Sequence, residues 1–342
     1  MPIRLKDIAQ ELGVSTVTVS KVLRGNPDIG AKTRARVLER LNALNYRPNM
    51  AARGLATGKT FTVGLIVPDL LQPFFAHFAK ELGGVLRQHD RALLLASSEE
   101  DPKIEAQETL ALIQRGVDVL VLASCRDELL PVPELSALPV PLVLFDRRFK
   151  RMKANFVGSD DVGAGELATR HLIELNRKRI AHIGGLQTSP ARDRAAGYLR
   201  ALERTGREID ERYLVLRKRL EERGDDIGFS CMQGLLALRR PPDAVFCYND
   251  MTAIGAIQAT LQAGLKIPRE MAIIGCGNFR YADYLQVPLS SIDQDTAELG
   301  RAAAQLTLSI ADSPQARVQS IVLKPRLVIR QSSAPPSLKI SR

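Results

Sequence analysis

From residue 61 onward the chain repeats one pattern, a short continuously apolar run followed by a longer amphipathic stretch. The apolar runs fall at 61–67, 92–96, 117–123, 141–145, 179–184, 244–247 and 271–275. Runs of this kind predict strands buried on both faces, because a half-exposed strand would alternate polar and apolar residues. Between them, helical periodicity marks 74–88, 104–115, 163–175 and 251–263. Strand–helix alternation predicts doubly wound parallel sheets. Residues 61–330 hold too many such units for one sheet, so the reading is two lobes.

The first 46 residues differ. Leu5, Ile8, Ala9 and Leu12 line one helical face, and Gly13 ends that helix. Ser15 suits the N-cap of a second helix running through Val17 and Leu23 to Gly25. A turn at Asn26-Pro27-Asp28 leads to a third helix with Val37, Leu38, Leu41 and Leu44 as its apolar positions. So small an all-α unit has a thin core. Residues 47–60 follow as a hinge and linker. Pro48 blocks a helix before it, Asn49 can cap a short turn reaching Leu55, and Gly54 and Gly58 weaken that turn. A helix this short is unstable alone in water, so it is expected to fold only on a partner. Residues 331–342, rich in serine and proline, read as a loose tail.

Charge is unevenly distributed. Eleven basic and four acidic side chains fall in residues 1–60, so +7 of the chain's net +10 sits there. A basic head on a nearly neutral body is the footprint of a polyanion binder. No apolar run reaches a membrane-spanning length and no secretory signal is seen, so a cytoplasmic location is expected. Cys125, Cys231, Cys247 and Cys276 are scattered in apolar stretches and read as small buried side chains, with no metal site.

On a helical wheel Val19, Val22 and Leu23 share one arc, while Val17, Ser20, Lys21 and Arg24 cluster opposite. That outer face suits a DNA major groove, where Lys21 can donate to guanine and Val17 can touch a thymine methyl. A merely solvated face is the alternative on these residues alone.

The stretches Leu5-Lys6-Asp7-Ile8-Ala9, Gly13-Val14-Ser15-Thr16-Val17-Thr18-Val19-Ser20-Lys21-Val22-Leu23-Arg24-Gly25, Asn45-Tyr46-Arg47-Pro48-Asn49 and Ala52-Arg53-Gly54-Leu55 resemble the lactose-repressor family of bacterial transcription regulators. The resemblance continues through Gln72-Pro73-Phe74-Phe75, Phe145-Asp146-Arg147, Asn249-Asp250-Met251 and Ile292-Asp293-Gln294-Asp295. It implies a helix-turn-helix head and an effector domain with two lobes of the periplasmic-binding-protein type. Thr16, Val17 and Lys21 would read base edges, and Ser15, Thr18 and Ser20 would hold phosphates, with Arg24 beside them. Asn49, Ala52, Arg53 and Leu55 would belong to a hinge helix in the minor groove, where Leu55 wedges between base pairs. One head reads few bases, so a homodimer on a near-palindromic operator is expected. With Pro335-Pro336 and no heptads in the tail, a tetramer is not.

An enzyme would need a nucleophile with its base, a metal set or a phosphate-cradling loop. His77, His89, His171 and His182 lack ligand spacing, and the nucleophile-elbow and P-loop motifs are absent. The reading is a transcriptional regulator, most simply a repressor, with no cofactor, controlled by a small sugar-like molecule. An exported sugar-binding protein is set aside for want of an export signal and because of the basic head. By resemblance Phe74 and Phe75 form an apolar wall, while Asp146, Arg194, Asn249 and Gln294 bond the effector. Two positions depart from the family pattern: Gly277 replaces an aspartate, and Arg223, just before the helix containing Gly228, replaces an aromatic ring. Together with Arg147 and Arg194 they predict unpaired guanidinium groups and hence an anionic effector. Internal pairing by Asp146, Asp250 or Asp293 would leave a neutral sugar site instead.

Overall fold

The computed structural model describes residues 4–23, 25–46, 54, 58–127, 129–185, 188–216, 224–313 and 316–334. The chain divides into two compact units, Met1–Thr60 and Phe61–Arg342.

The first unit holds α1 (Leu5–Leu12), α2 (Thr16–Leu23) and α3 (Ala31–Ala43). The backbone N–H of Arg4 donates to the Asp7 carboxylate at 2.9 Å, which starts α1, and Gly13 ends it at φ 64°. Ser15 Oγ accepts from the backbone N of Thr18 at 3.0 Å, the N-cap bond expected for α2. Ile8, Ala9, Val19, Val22, Val37 and Leu41 form the core. Leu38 is exposed, so the apolar face of α3 is narrower than its sequence suggests.

The second unit contains two six-stranded sheets. Lobe 1 has the order β11-β5-β4-β3-β1-β2. Its strands are β1 (Thr62–Val67), β2 (Ala92–Ser97), β3 (Val119–Leu122), β4 (Leu142–Phe145), β5 (Asn155–Ser159) and β11 (Ser320–Leu323). All are parallel. Helices α4 (Pro73–Gln88), α5 (Pro102–Gln114) and the short α6 (Pro133–Ser136) connect them. Lobe 2 has the order β12-β10-β9-β8-β6-β7. It comprises β6 (Ile180–Ile183), β7 (Leu214–Val215), β8 (Ala244–Cys247), β9 (Ala272–Cys276), β10 (Ser290–Asp293) and β12 (Arg326–Val328), the last antiparallel to β10. Around this sheet lie α7 (Asp161–Glu174), α8 (Ser189–Arg204), α9 (Gly224–Leu236) and α10 (Asp250–Gln262).

The lobes are not contiguous in sequence. After β10 the chain returns to lobe 1 as α11 (Thr296–Asp312), whose Leu299, Ala303 and Leu306 share a core with Phe75, Phe78, Leu82 and Leu86 of α4. It then adds β11 to lobe 1 and β12 to lobe 2, crossing three times in all.

Two helix pairs in lobe 2 touch backbone to backbone through glycines. A Cβ at Gly165 or Gly197 would meet the carbonyl of Arg194 or Val162 at 2.1 Å, which fixes α7 against α8. At Gly228 or Gly255 it would meet the Thr252 or Asp225 carbonyl at 2.0 or 1.8 Å, fixing α9 against α10. No methyl group fits at such distances.

The expected loose tail starts too early. Ser332, Ser333 and Ala334 are buried, and Ser332 donates to Pro288 O at 2.9 Å while its own carbonyl accepts from Ile273 N at 2.8 Å. These residues satisfy the starts of β9 and β10, so residues 331–334 belong to lobe 2 rather than to a tail. Among the described residues no helix is long and apolar enough to cross a membrane.

Candidate functional site

In the head, α2 presents the face drawn from the wheel. Val19 and Val22 are buried, whereas Val17 is 59% exposed. An isolated valine turned outward costs little, but it stands beside exposed Thr16 and half-buried Ser20 and Lys21 as a mixed polar and methyl surface. Lys21 sits 3.4 Å from Asp28, an exposed pair that contributes little to stability and is easily exchanged for a phosphate or base. The hydroxyls of Ser15 and Thr18 bond each other at 2.9 Å. Arg24, Asn49, Ala52, Arg53 and Leu55 lie outside the described residues, as does Arg223.

In the second unit, parallel strands aim their carboxyl ends at one edge of each sheet, where ligand sites form in such folds. At the end of β4, Asp146 adopts φ 60° and Arg147 follows it. Arg147 is buried and donates through both terminal nitrogens to Glu100, at 2.7 and 2.5 Å, and also to Ser124 O at 3.2 Å. In lobe 2, buried Arg194 on α8 donates Nε to Asp161 Oδ1 at 2.8 Å and Nη1 to Tyr248 O at 2.7 Å, and its Nη2 forms an ion pair with the same Asp161 oxygen at 2.7 Å. Asp146 lies between these two pairs. Burial, and next the charge of Asp161, lift its pKa to about 7 against the pull of Arg194 and Arg147.

The remaining predicted residues divide. Phe74 borders an opening of about 430 Å³ between the lobes, together with Asn249 and Gly277. Phe75 is only 3% exposed; it packs edge-on against Phe145 and belongs to the core of lobe 1, so the expected two-ring wall reduces to Phe74. Asn249 caps α10 by accepting from Thr252 N at 2.8 Å. Gln294 is 2% exposed, and its Nε2 has no partner. Gly277 sits at φ 129°, which L side chains rarely adopt, and a Cβ there would lie 3.4 Å from Asp250 Oδ2. A carboxylate added at 277 would crowd Asp250, already pushed up to about 6 by burial.

One expectation is corrected outright. Arg147 and Arg194 are not unpaired: their close partners are Glu100 and Asp161, Asp146 stands 3.9 Å from Arg147 as a weaker ion pair, and among the described residues Asp250 and Asp293 form no ion pair with either arginine. Tyr248, Glu100 and Asp161 were missed as site residues. Asp161 had a visible signal, an acid at a helix start, but nothing local identifies its arginine. Among the described residues, Ser159 Oγ at the end of β5 and Thr188 Oγ1 before α8 are likewise buried without a hydrogen-bond partner. Buried polar atoms are rarely left unpaired in a folded protein, which makes these natural contacts for a bound molecule. Across the rim, Arg148 meets Asp193 at 2.8 Å and Arg192 meets Asp127 at 2.9 Å, linking lobe 1 to α8.

Comparison with known proteins supplies the family. The description "Bacterial regulatory proteins, lacI family" matches residues 4–49, and "Periplasmic binding protein-like domain" matches residues 169–333. The chain is 34% identical to the ribose operon repressor of Haemophilus influenzae over 96% of this chain and 98% of that one. The chain belongs to the LacI family. It is therefore a DNA-binding transcriptional repressor and not an enzyme. Among solved structures, the LacI-family chain matches the transcriptional regulator CelR in its cellobiose complex, with a TM-score of 0.73 and 28% identity over 97% of this chain and all of that one. The lac repressor dimer bound to operator and an anti-inducer matches with a TM-score of 0.82, at 22% identity over 97% of this chain and 99% of that one, and so supports the fold alone.

Proposed function

We propose that this LacI-family repressor grips a near-palindromic operator as a homodimer and that a neutral monosaccharide, bound between the two lobes, sets the strength of that grip. Residues 1–46 are the DNA reader, 47–60 the hinge, and 61–334 the effector and dimer domain. The observation that carries the reading is the charge balance around Asp146. Both buried arginines already hold a carboxylate, so the cleft offers donors and acceptors with little net charge. Such a site suits hydroxyl groups better than the anionic effector expected from unpaired guanidiniums. The ribose operon repressor at 34% identity and the cellobiose-bound regulator at 28% point to the same chemical class.

The test is a thermal-shift titration of the full chain with D-ribose, D-glucose, D-gluconate and hypoxanthine. A ligand at 100 times its Kd adds about 2.7 kcal/mol, enough to raise Tm by several degrees. A shift by a neutral sugar supports the reading, and a shift by gluconate or hypoxanthine alone overturns it. The binding should also depend on pH. Asp146 accepts hydroxyls as a carboxylate, so sugar affinity should be level in mildly alkaline buffer. It should then fall, by up to about tenfold per pH unit, as pH drops below its pKa of about 7. Calorimetric titrations of Asp146→Asn should show weaker binding without that slope.

For the head, Lys21→Ala should lower affinity for an operator selected from random DNA by about 1–3 kcal/mol and relax the sequence preference. Equal losses on selected and random DNA in a gel-shift series would reassign Lys21 to phosphate contact alone.

A further inference from the structure

The Tyr248 side chain follows β8 and belongs to neither hydrophobic core of lobe 2. One face of its ring lies on Gly185, where a Cβ would stand 2.8–2.9 Å from three ring atoms. The Arg194 guanidinium carbon sits 4.8 Å from the ring centroid. The Tyr248 carbonyl also accepts from Arg194 Nη1 at 2.7 Å. One residue thus holds this arginine twice, through its backbone and through its ring. The charges of Arg147, Asp146 and Glu100, all on lobe 1, act on its hydroxyl, so the side chain reaches the part of the cleft where the lobes meet.

We infer that Tyr248 is a specificity-determining residue of the effector site: its ring is the platform that fixes Arg194 so that the two guanidinium N–H groups left over are offered as a pair to neighbouring sugar hydroxyls. A guanidinium carries five N–H donors. Asp161 accepts the Nε–H and engages Nη2 as an ion pair at 2.7 Å, and Tyr248 O accepts one Nη1–H, which leaves the outer N–H of each terminal nitrogen. Asp161 fixes one edge of the group and neutralises its charge, but a plane held at its edge alone can still rock. A ring face beneath it removes that freedom and adds cation–π attraction, stronger in a desolvated site than on a surface. Two donors held in one plane select adjacent hydroxyls, so the cleft should discriminate against a sugar lacking one of them.

The inference rests on the neutral-sugar reading above, and the experiment separates the two. Full-length wild type, Tyr248→Phe, Tyr248→Leu and Gly185→Ala are titrated with D-ribose, 2-deoxy-D-ribose and D-glucose by calorimetry, with Tm measured without sugar. Tyr248→Phe keeps the platform and should bind the preferred sugar within about twofold of wild type. Tyr248→Leu fills similar space without a π face and should lose roughly 5- to 30-fold in affinity. Gly185→Ala lifts the ring from its other side and should reproduce that loss. The decisive readout is coupling: Arg194→Lys should cost much in the wild type and little more in Tyr248→Leu, because the ring acts through the arginine. Additive losses, or Tyr248→Leu binding as wild type does, overturn the inference while leaving the sugar reading intact. If no sugar binds the wild type, the reading fails and the inference with it.

Discussion

Replacing Arg194 by alanine should produce a repressor that still binds its operator but no longer responds to effector at any concentration. The change removes the donors offered to the ligand and also strands Asp161, a buried carboxylate that accepts from Arg194 Nε and pairs with its Nη2. Breaking a buried ion pair from one side costs about 3–5 kcal/mol, because the remaining charge has no compensation. Loss of response could then be mistaken for loss of folding. The double change Arg194→Ala with Asp161→Ala separates the two effects: stability should largely recover while the response stays absent. Denaturant melts and effector titrations on operator DNA measure the two quantities independently. A double variant that regains the response would remove Arg194 from the binding chemistry.

Gly255→Ala should be among the most damaging single-methyl substitutions in the molecule. The added carbon would stand 1.8 Å from the Asp225 carbonyl, a backbone atom with no rotamer to escape into, so α9 and α10 must separate. Overpacking of this kind costs roughly 3 kcal/mol or more, a fall in Tm of about 6–12 °C for a domain of this size. Gly234, exposed on α9 with nothing within 4 Å of its Cβ position, is the internal control. There alanine should be neutral or stabilise by up to about 1 kcal/mol, since it lowers the entropy of the unfolded chain. Equal behaviour of the two variants in thermal melts would contradict the close helix contact.

Much of the frame could be read from the residues because its physics is local. Uninterrupted apolar runs marked β1, β2, β3, β4, β6, β8 and β9 to within a residue or two, and Ser15 announced α2. The strands that escaped have polar or sparse sequences. In β10, Ser290 and Ser291 are fully buried, yet each is satisfied by a distant partner: Arg330 and Ser332 for the first, Asp250 for the second. No local pattern reveals that. The cleft was legible as residue types but not as pairs. Asp146 and Arg194 do stand close enough for each charge to act on the other, while the partners that decide the charge of the site, Glu100 and Asp161, lie 47 and 33 residues from their arginines. Phe75 illustrates the converse: two neighbouring aromatics at a helix start look equivalent, yet the helix turns one toward the cleft and the other into the core.

The threefold crossing between lobes bears on how a ribosome makes this protein. Lobe 1 begins with β1 and α4, but the apolar face of α4 that carries Phe78, Leu82 and Leu86 is covered by α11, and β11 completes the sheet still later. At roughly 5–20 residues per second, the stretch from the end of α4 to the end of α11 takes about 10–45 s to synthesise. During that interval the nascent chain carries an apolar face of α4 without its α11 cover while lobe 2 is being translated. Lobe 1 is translated first yet cannot close until α11 and β11 emerge, and a chain stalled between residues 88 and 296 presents that surface to chaperones and proteases.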